Sequence, residues 1–370
     1  MYTKRIVREK LAEYGGIQKM KNKITIGKWE GTCLLINAIS TKVFLNYPRT
    51  AAETAGTASW ILSLYILIIV LVLFLFITIL YKKFDGMDII DIAESRLGSI
   101  GRTIIGLLII SFFTFNLSIV LREFAENMKT IMFTYSPISF VIIIFVISMI
   151  IAVYFGFEAI VRVHALAVPV IIIAFLFIII LSIIDADFTN IFPILGTGYF
   201  NVFLLGFLKI SSFSELLIIF MLPPFIKKNE EFKSIGYTTI ILSGFFFFTS
   251  AIAFITTIPY PTVLESFLPI FQMSRLINFG MFFQRIESIF ILIWAMAALL
   301  YFSAIFFFIV YSFKKTFKLK YYKPLIFPFA IIIFTVSFFP KNLTETVNIE
   351  TNYLGSYSWI ITFMVTIFVL

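Results

Sequence analysis

Long apolar runs, separated by short clusters of Lys, Arg, Asp, Gly and Pro, dominate the chain. The runs at 61–80, 141–155 and 167–184 approach or reach the roughly 20 apolar residues that carry a helix across a bilayer core. The short alternating segments of a β-barrel do not occur, so helices must satisfy the backbone inside lipid. Ten apolar segments follow, at about 29–47, 57–81, 103–121, 137–155, 167–184, 200–226, 235–258, 286–312, 324–339 and 355–370. The ninth, with Pro324, Pro328 and Pro340 near it, is short; an amphipathic stretch at about 262–284 need not cross. The pattern predicts an all-α integral membrane protein of about ten transmembrane helices.

Composition narrows the function classes. Hydrophobic residues make up 61% and charged residues 13%, too little charge to cover a soluble surface of this size. One cysteine (Cys33) and one histidine (His164) leave no disulfide framework and no Cys- or His-based metal cluster. Phosphate loops and nucleophile elbows are missing too, so neither an enzyme nor a bound metal or cofactor is expected. The formal charge of +9 reads as the basic excess of cytoplasmic loops rather than as a nucleic-acid footprint. With the amino end placed inside, 21 of the 29 Lys and Arg fall in inside segments and six outside, with Lys42 and Lys209 within spans. That bias predicts both termini on the cytoplasmic side and an even number of spans. Residues 1–28 are expected to form a disordered basic tail, not a cleavable signal, and 29–370 a single transmembrane domain.

Two spans differ from the rest. The first carries a polar island, Asn37, Ser40, Thr41 and Lys42, and the sixth another, Lys209, Ser211, Ser212, Ser214 and Glu215. Pro48 follows the first island, and Pro223 and Pro224 follow the second, each read as an exit proline. Ser and Thr can bond backbone carbonyls in place of the helical ladder and let a helix open at depth. Five spans, counting the first, precede the sixth, the layout of two inverted five-helix repeats (29–184 and 200–370), each opened by a discontinuous helix. Taken singly, Ser40, Thr41, Ser211 and Ser212 suit close helix packing; their matching positions point to a midplane ligand site. Its candidate contacts are Asn37, Ser40, Thr41, Ser211, Ser212, Phe213 and Glu215.

Charges at such depth cost at least about 2.5–3.5 kcal/mol at a helix centre, so Lys42, Lys209 and Glu215 need partners or solvent. Lys42 can snorkel outward or pair with Glu215. Glu215 can contact an amino-group ligand, support an unwound segment, or act as a purely structural acid. Arg285 and Glu287 read as an interfacial pair, and Trp29, Trp60, Trp294 and Trp359 as candidates for the aromatic belt. Glu158, Arg162 and His164 fall in a cytoplasmic loop, and Asn116 reads as an interhelical packing contact.

Several ordered motifs resemble those of endospore germination permeases, the B subunits of spore nutrient germinant receptors. Pro48, Ala51, Ala55-Gly56 and Ala58 through Trp60 resemble the family's "P…A…AG…AW" connection after the first span. Phe213-Ser214-Glu215 with Phe220 and Pro223 is similar to its "FGE…F…P" signature. Pro269, Arg275, Arg285-Ile286-Glu287 and Trp294 are similar to its "P…R…RxE…W" region. Ser212 and Ser214 stand where the family often has Pro and Gly, so unwinding there is less strongly encoded. The resemblance implies the amino acid–polyamine–organocation superfamily fold (LeuT-like), a small nutrient ligand such as an amino acid, and a role in triggering germination. It also implies a membrane A subunit and a lipoprotein C subunit as partners in the spore inner membrane. A secondary amino acid or polyamine transporter is the alternative reading.

Overall fold

The computed structural model describes residues 25–84, 86–277 and 286–370. Expectations for residues 1–24 and for Arg285 lie outside the described residues. Within them, helices occupy all ten apolar segments. Eight stretches are long and apolar enough to cross a membrane: Tyr47–Phe84, Ile89–Ile131, Ile138–Phe155, Phe157–Ser182, Phe200–Met221, Glu230–Thr257, Glu287–Thr316 and Leu343–Val369. The short Lys323–Val336 is the ninth span. The first span begins at Lys28 and includes the start of the first of those eight stretches.

The packing repeats itself when the two halves are exchanged. Span three packs on eight and two on seven; one on five is matched by six on ten, one on seven by two on six, and eight on five by three on ten. Because each half has an odd number of spans, the halves run in opposite senses through the membrane. Apolar side chains point outward to lipid along spans two, four and five, exemplified by Ile68, Val72, Ile147 and Ile173. An aromatic core joins the halves, with Phe124, Phe145, Trp294 and Phe302 in mutual contact.

Several element ends differ from expectation, for one reason. Hydropathy marks the lipid-facing part of a helix, whereas a helix surrounded by protein can carry polar residues much further. Span three continues past its expected end at 121 to Ile131 and buries Arg122 and Glu123. Span five starts at Phe157, so Glu158, Arg162 and His164 are helical rather than in a loop; His164 is buried, and Glu158 pairs with Arg162 on the surface. Span ten starts at Leu343, twelve residues before the expected 355. Trp294 is not in the belt but fully buried, stacked on Phe290.

On the side where the first span starts, Ile26 exchanges backbone hydrogen bonds with Phe225 and Lys227, fastening the entry of the first span to the exit of the sixth. On the opposite side, the connector after span five presses on the end of the first. Thr197 donates from its N–H to the Ala55 carbonyl (3.3 Å) and from its hydroxyl to the Thr54 carbonyl (2.8 Å). Gly56 turns the chain there at φ 61°, a left-handed backbone that a side chain would strain.

Candidate functional site: the break in the first span

The first span is α-helical over Lys28–Ser40, tightens to a 3₁₀ turn over Thr41–Phe44, and leaves helical geometry at Leu45 (φ −95°, ψ −108°) and Asn46 (φ −118°, ψ 1°). It then restarts as Tyr47–Ala55. Pro48 explains the position. A proline ring inside a helix clashes with the carbonyl four residues earlier, here Phe44, and lacks the N–H for that bond; in the first turn of a new helix it costs nothing. Pro48 is therefore the start of the span's second half rather than its exit. The Pro48-to-Ala55 motif is the body of that half-helix, with Ala51, Ala52 and Ala55 buried. The opening lies four residues past Thr41, not within the polar island itself.

The sixth span also departs from α geometry. It is 3₁₀-like over Gly206–Met221 and distorted at Phe213 (φ −97°, ψ 21°), even though serines stand where Pro and Gly were expected. Its loosened carbonyls take donors from other elements. Lys42 Nζ donates to the carbonyls of Ser211 (3.4 Å) and Ser212 (3.3 Å), and the Thr362 hydroxyl donates to that of Ser214 (2.9 Å). The Trp359 N–H donates to Ser211 Oγ at 3.2 Å.

Lys42 does not snorkel. Its side chain is 10% exposed, and Nζ lies 2.6 Å from Glu215 Oε2 and 2.7 Å from Ser214 Oγ. Glu215 is fully buried, and both of its oxygens are occupied. Oε1 accepts from Asn116 Nδ2 (3.0 Å) and the Tyr301 hydroxyl (3.2 Å), and Oε2 from Lys42 and the Ser214 hydroxyl (3.0 Å). A buried ion pair persists only when its remaining donors and acceptors are met in this way. In this conformation Glu215 ties together spans one, three, six and eight, and has no oxygen left for a ligand amine.

The other predicted residues separate into two groups. Asn37 donates to the Ala297 carbonyl (3.0 Å), Ser40 Oγ donates to Ser243 Oγ (3.2 Å), and Thr41 Oγ1 to its own helix at the Asn37 carbonyl (2.6 Å). All three line a narrow, largely apolar crevice between spans one, five and seven. Phe213 is buried and edge-on to Phe247. Ser211, Ser212, Lys42 and Lys209, by contrast, meet at a narrow polar cleft. Asn46, Tyr47 and Thr50 of the first span and Glu350 and Thr351 of the tenth complete its lining.

Asn46, Glu123 and Glu350 were not among the expected site residues. Asn46 sits in the break itself, and its amide donates to Glu123 Oε1 (3.0 Å) and Glu350 Oε2 (3.1 Å). The signal was there: each acid stands in a helix whose apolar pattern continues on both sides, once Arg122 is paired within its helix to Glu126 (2.8 Å) and span ten is begun at Leu343.

A cleft at a broken helix, with a cation and a carboxylate on opposing spans, is the arrangement of transporter binding sites. Similarity to known proteins identifies the family and the fold. Residues 25–346 match the spore permease family, described as spore germination protein. Spore germination protein A2 of Bacillus subtilis (strain 168) is 23% identical over 343 residues, covering 92% of this chain and 93% of that protein. Spore germination protein YndE of the same organism is 25% identical over 328 residues, covering 87% and 88%. Among solved structures, the chain is similar to a Na⁺-coupled sialic acid symporter in a substrate-bound outward-open state, with a TM-score of 0.64 and 14% identity, covering 93% of this chain and 90% of that one. It is equally similar to Mhp1, a nucleobase-cation-symport-1 family transporter in a closed conformation, with a TM-score of 0.64 and 12% identity, covering 92% and 78%. At such identities the structural likeness establishes the fold, the LeuT-like inverted repeat, and nothing finer. These relatives are permeases and transporters rather than enzymes. The chain belongs to the spore germination protein family, as an integral membrane permease-type member with ten helical spans and an opened first helix.

Proposed function

We propose that this chain is the permease-like subunit of a spore germinant receptor. It binds a small nutrient, an amino acid, in the polar cleft beside Leu45–Asn46. Lys209 and Glu350 line that cleft with opposite charges, and Ser211, Ser212, Thr50 and Thr351 surround them with hydroxyls. This pairing is the observation that carries the reading, since a zwitterion presents one carboxylate and one ammonium. The amino end of the half-helix at Tyr47 adds a dipole favourable to the carboxylate. Ligand binding favours one conformer of the first and sixth spans and passes that preference to a membrane A subunit and a lipoprotein C subunit; only a ligand that discriminates between states can do so. The complex resides in the spore inner membrane with both termini of this chain on the core side.

The test is thermal stabilisation of the purified chain by a panel of neutral L-amino acids, with Lys209→Met and Ser212→Ala as controls. A ligand at 100 times its dissociation constant stabilises by about 2.7 kcal/mol, and truncating one partner of a buried charge pair costs roughly 2–5 kcal/mol of binding. Stabilisation by an amino acid that is lost in Lys209→Met supports the cleft; equal stabilisation in both controls removes it. A second reading, a secondary amino acid or polyamine transporter, draws on the cation-coupled fold relatives. Uptake of labelled ligand into vesicles containing this chain alone would favour it.

A further inference from the structure

Asn46 holds two buried glutamates to one amide. Its two N–H bonds bring Glu123 Oε1 and Glu350 Oε2 within about 6 Å of each other. Glu123 is completely buried, and its second oxygen, Oε2, has no hydrogen-bond partner. Among the described residues no ion pair reaches either glutamate. Lys42 is paired with Glu215 and Arg122 with Glu126; Arg49 bonds Glu53 through Nε at 2.9 Å, and its buried Nη1 has no hydrogen-bond partner. Lys209 lines the same cleft as Glu350 without forming an ion pair. Tyr301 of the eighth span is bonded to Glu215 and Asn116. Around the break, the buried Glu123, Glu215 and Glu350 face Lys42, Arg49 and Lys209, yet of these three carboxylates only Glu215 is in an ion pair; Glu53, which holds Arg49, is exposed.

An uncompensated buried charge is strongly disfavoured, and two carboxylates sharing one site resolve the conflict by keeping one proton between them. We propose that Glu123, Asn46 and Glu350 form a proton-binding site that carries one dissociable proton per chain. The proton belongs to the pair, since either acid can hold it while the other accepts from Asn46. One turn beyond Glu123, the buried Asn127 has an unpartnered Nδ2 and lines an open vestibule with Arg275 and Gln272. Because Asn46 is itself a residue of the break, loss of the proton sets two like charges against one of the two residues that join the halves of the first span. The site shares Asn46 and Glu350 with the proposed nutrient cleft, and its test needs no ligand.

The test is infrared difference spectroscopy of the purified wild-type chain near neutral pH, without ligand, comparing H₂O with D₂O. We expect a carboxylic-acid C=O band that shifts on deuteration and disappears in both Glu123→Gln and Glu350→Gln. Removing either acid leaves one carboxylate that Asn46 can bond as an anion, so neither variant needs the proton. A single-residue acid would lose the band in one variant and keep it in the other. Glutamine copies the shape of a protonated glutamate, so both variants should fold. Absence of the band in the wild type overturns the proposal with no variant needed. Its survival in whichever variant folds overturns it equally.

Discussion

The Lys42–Glu215 pair is the tie whose loss should be felt most, because it joins the two opened spans in the protein interior. Lys42→Met leaves the Glu215 carboxylate fully buried with Asn116, Tyr301 and Ser214 as its remaining donors, and leaves the Ser211 and Ser212 carbonyls without theirs. Breaking a buried pair by removing one partner costs about 3–5 kcal/mol. With an unfolding entropy of about 2.1 cal/mol/K per residue, a chain of 370 residues converts that loss into a midpoint shift of roughly 4–6 °C. The second arm of the cycle is Lys42→Met/Glu215→Gln. Removing the orphaned charge should recover at least half of the shift, since neutral replacement of both partners is often tolerated. The remainder belongs to the two carbonyls. Thermal unfolding in detergent micelles, followed by intrinsic tryptophan fluorescence, reads both. If Lys42→Met unfolds within about 1 °C of wild type, or the double variant falls as low as the single one, the pair is not the tie described here.

Other consequences are open to simpler assays. Pro48→Ala removes the clash that opens the first span, so amide exchange over residues 44–48 should slow while overall stability changes by less than about 1 kcal/mol; unchanged exchange would assign the break to something else. Gly196→Ala places a Cβ inside contact distance of the Ala55 carbonyl at φ 49°, and should cost about 1–3 kcal/mol in the same thermal assay. At the basic face, Lys315 pairs with both Asp88 and Asp91, and Tyr311 donates to Asp88. Burial holds the Asp88 carboxyl above its ordinary value despite Lys315. A raised folded-state value contributes stability that is fully present below the unfolded value and is lost as pH rises through the folded one. Lys315→Met removes the opposing cation, so the drop in midpoint between pH 5 and pH 8 should grow; a smaller drop would reverse the sign of the reasoning.

The sequence made the spans legible because lipid imposes a long apolar run on every exposed helix face. It also located the two spans that open, since polar islands at matching depth have few other uses. The precise point of opening was hidden by Pro48, which reads equally well as the end of one helix or the start of the next. Glu123 and Glu350 were hidden for a related reason. A window of hydropathy averages over all faces, and span ten, at a mean hydropathy of 1.3, has the weakest signal of the eight long stretches. Its polar face is turned to Asn46 and the sixth span rather than to lipid. Asn37, Ser40 and Thr41 were placed on the right helix but not in the polar cleft, because which face of a helix meets which neighbour depends on packing that no local pattern encodes.

The central claim is that the opened backbone around Leu45–Asn46 and the distorted sixth span around Phe213 together frame the recognition cleft. Hydrogen–deuterium exchange on the purified chain, with and without an amino acid that stabilises it, tests this most directly. Protection gained together at residues 41–50 and 211–215 is the predicted result. Protection confined to another region, with both of these segments exchanging at their ligand-free rates, would contradict it.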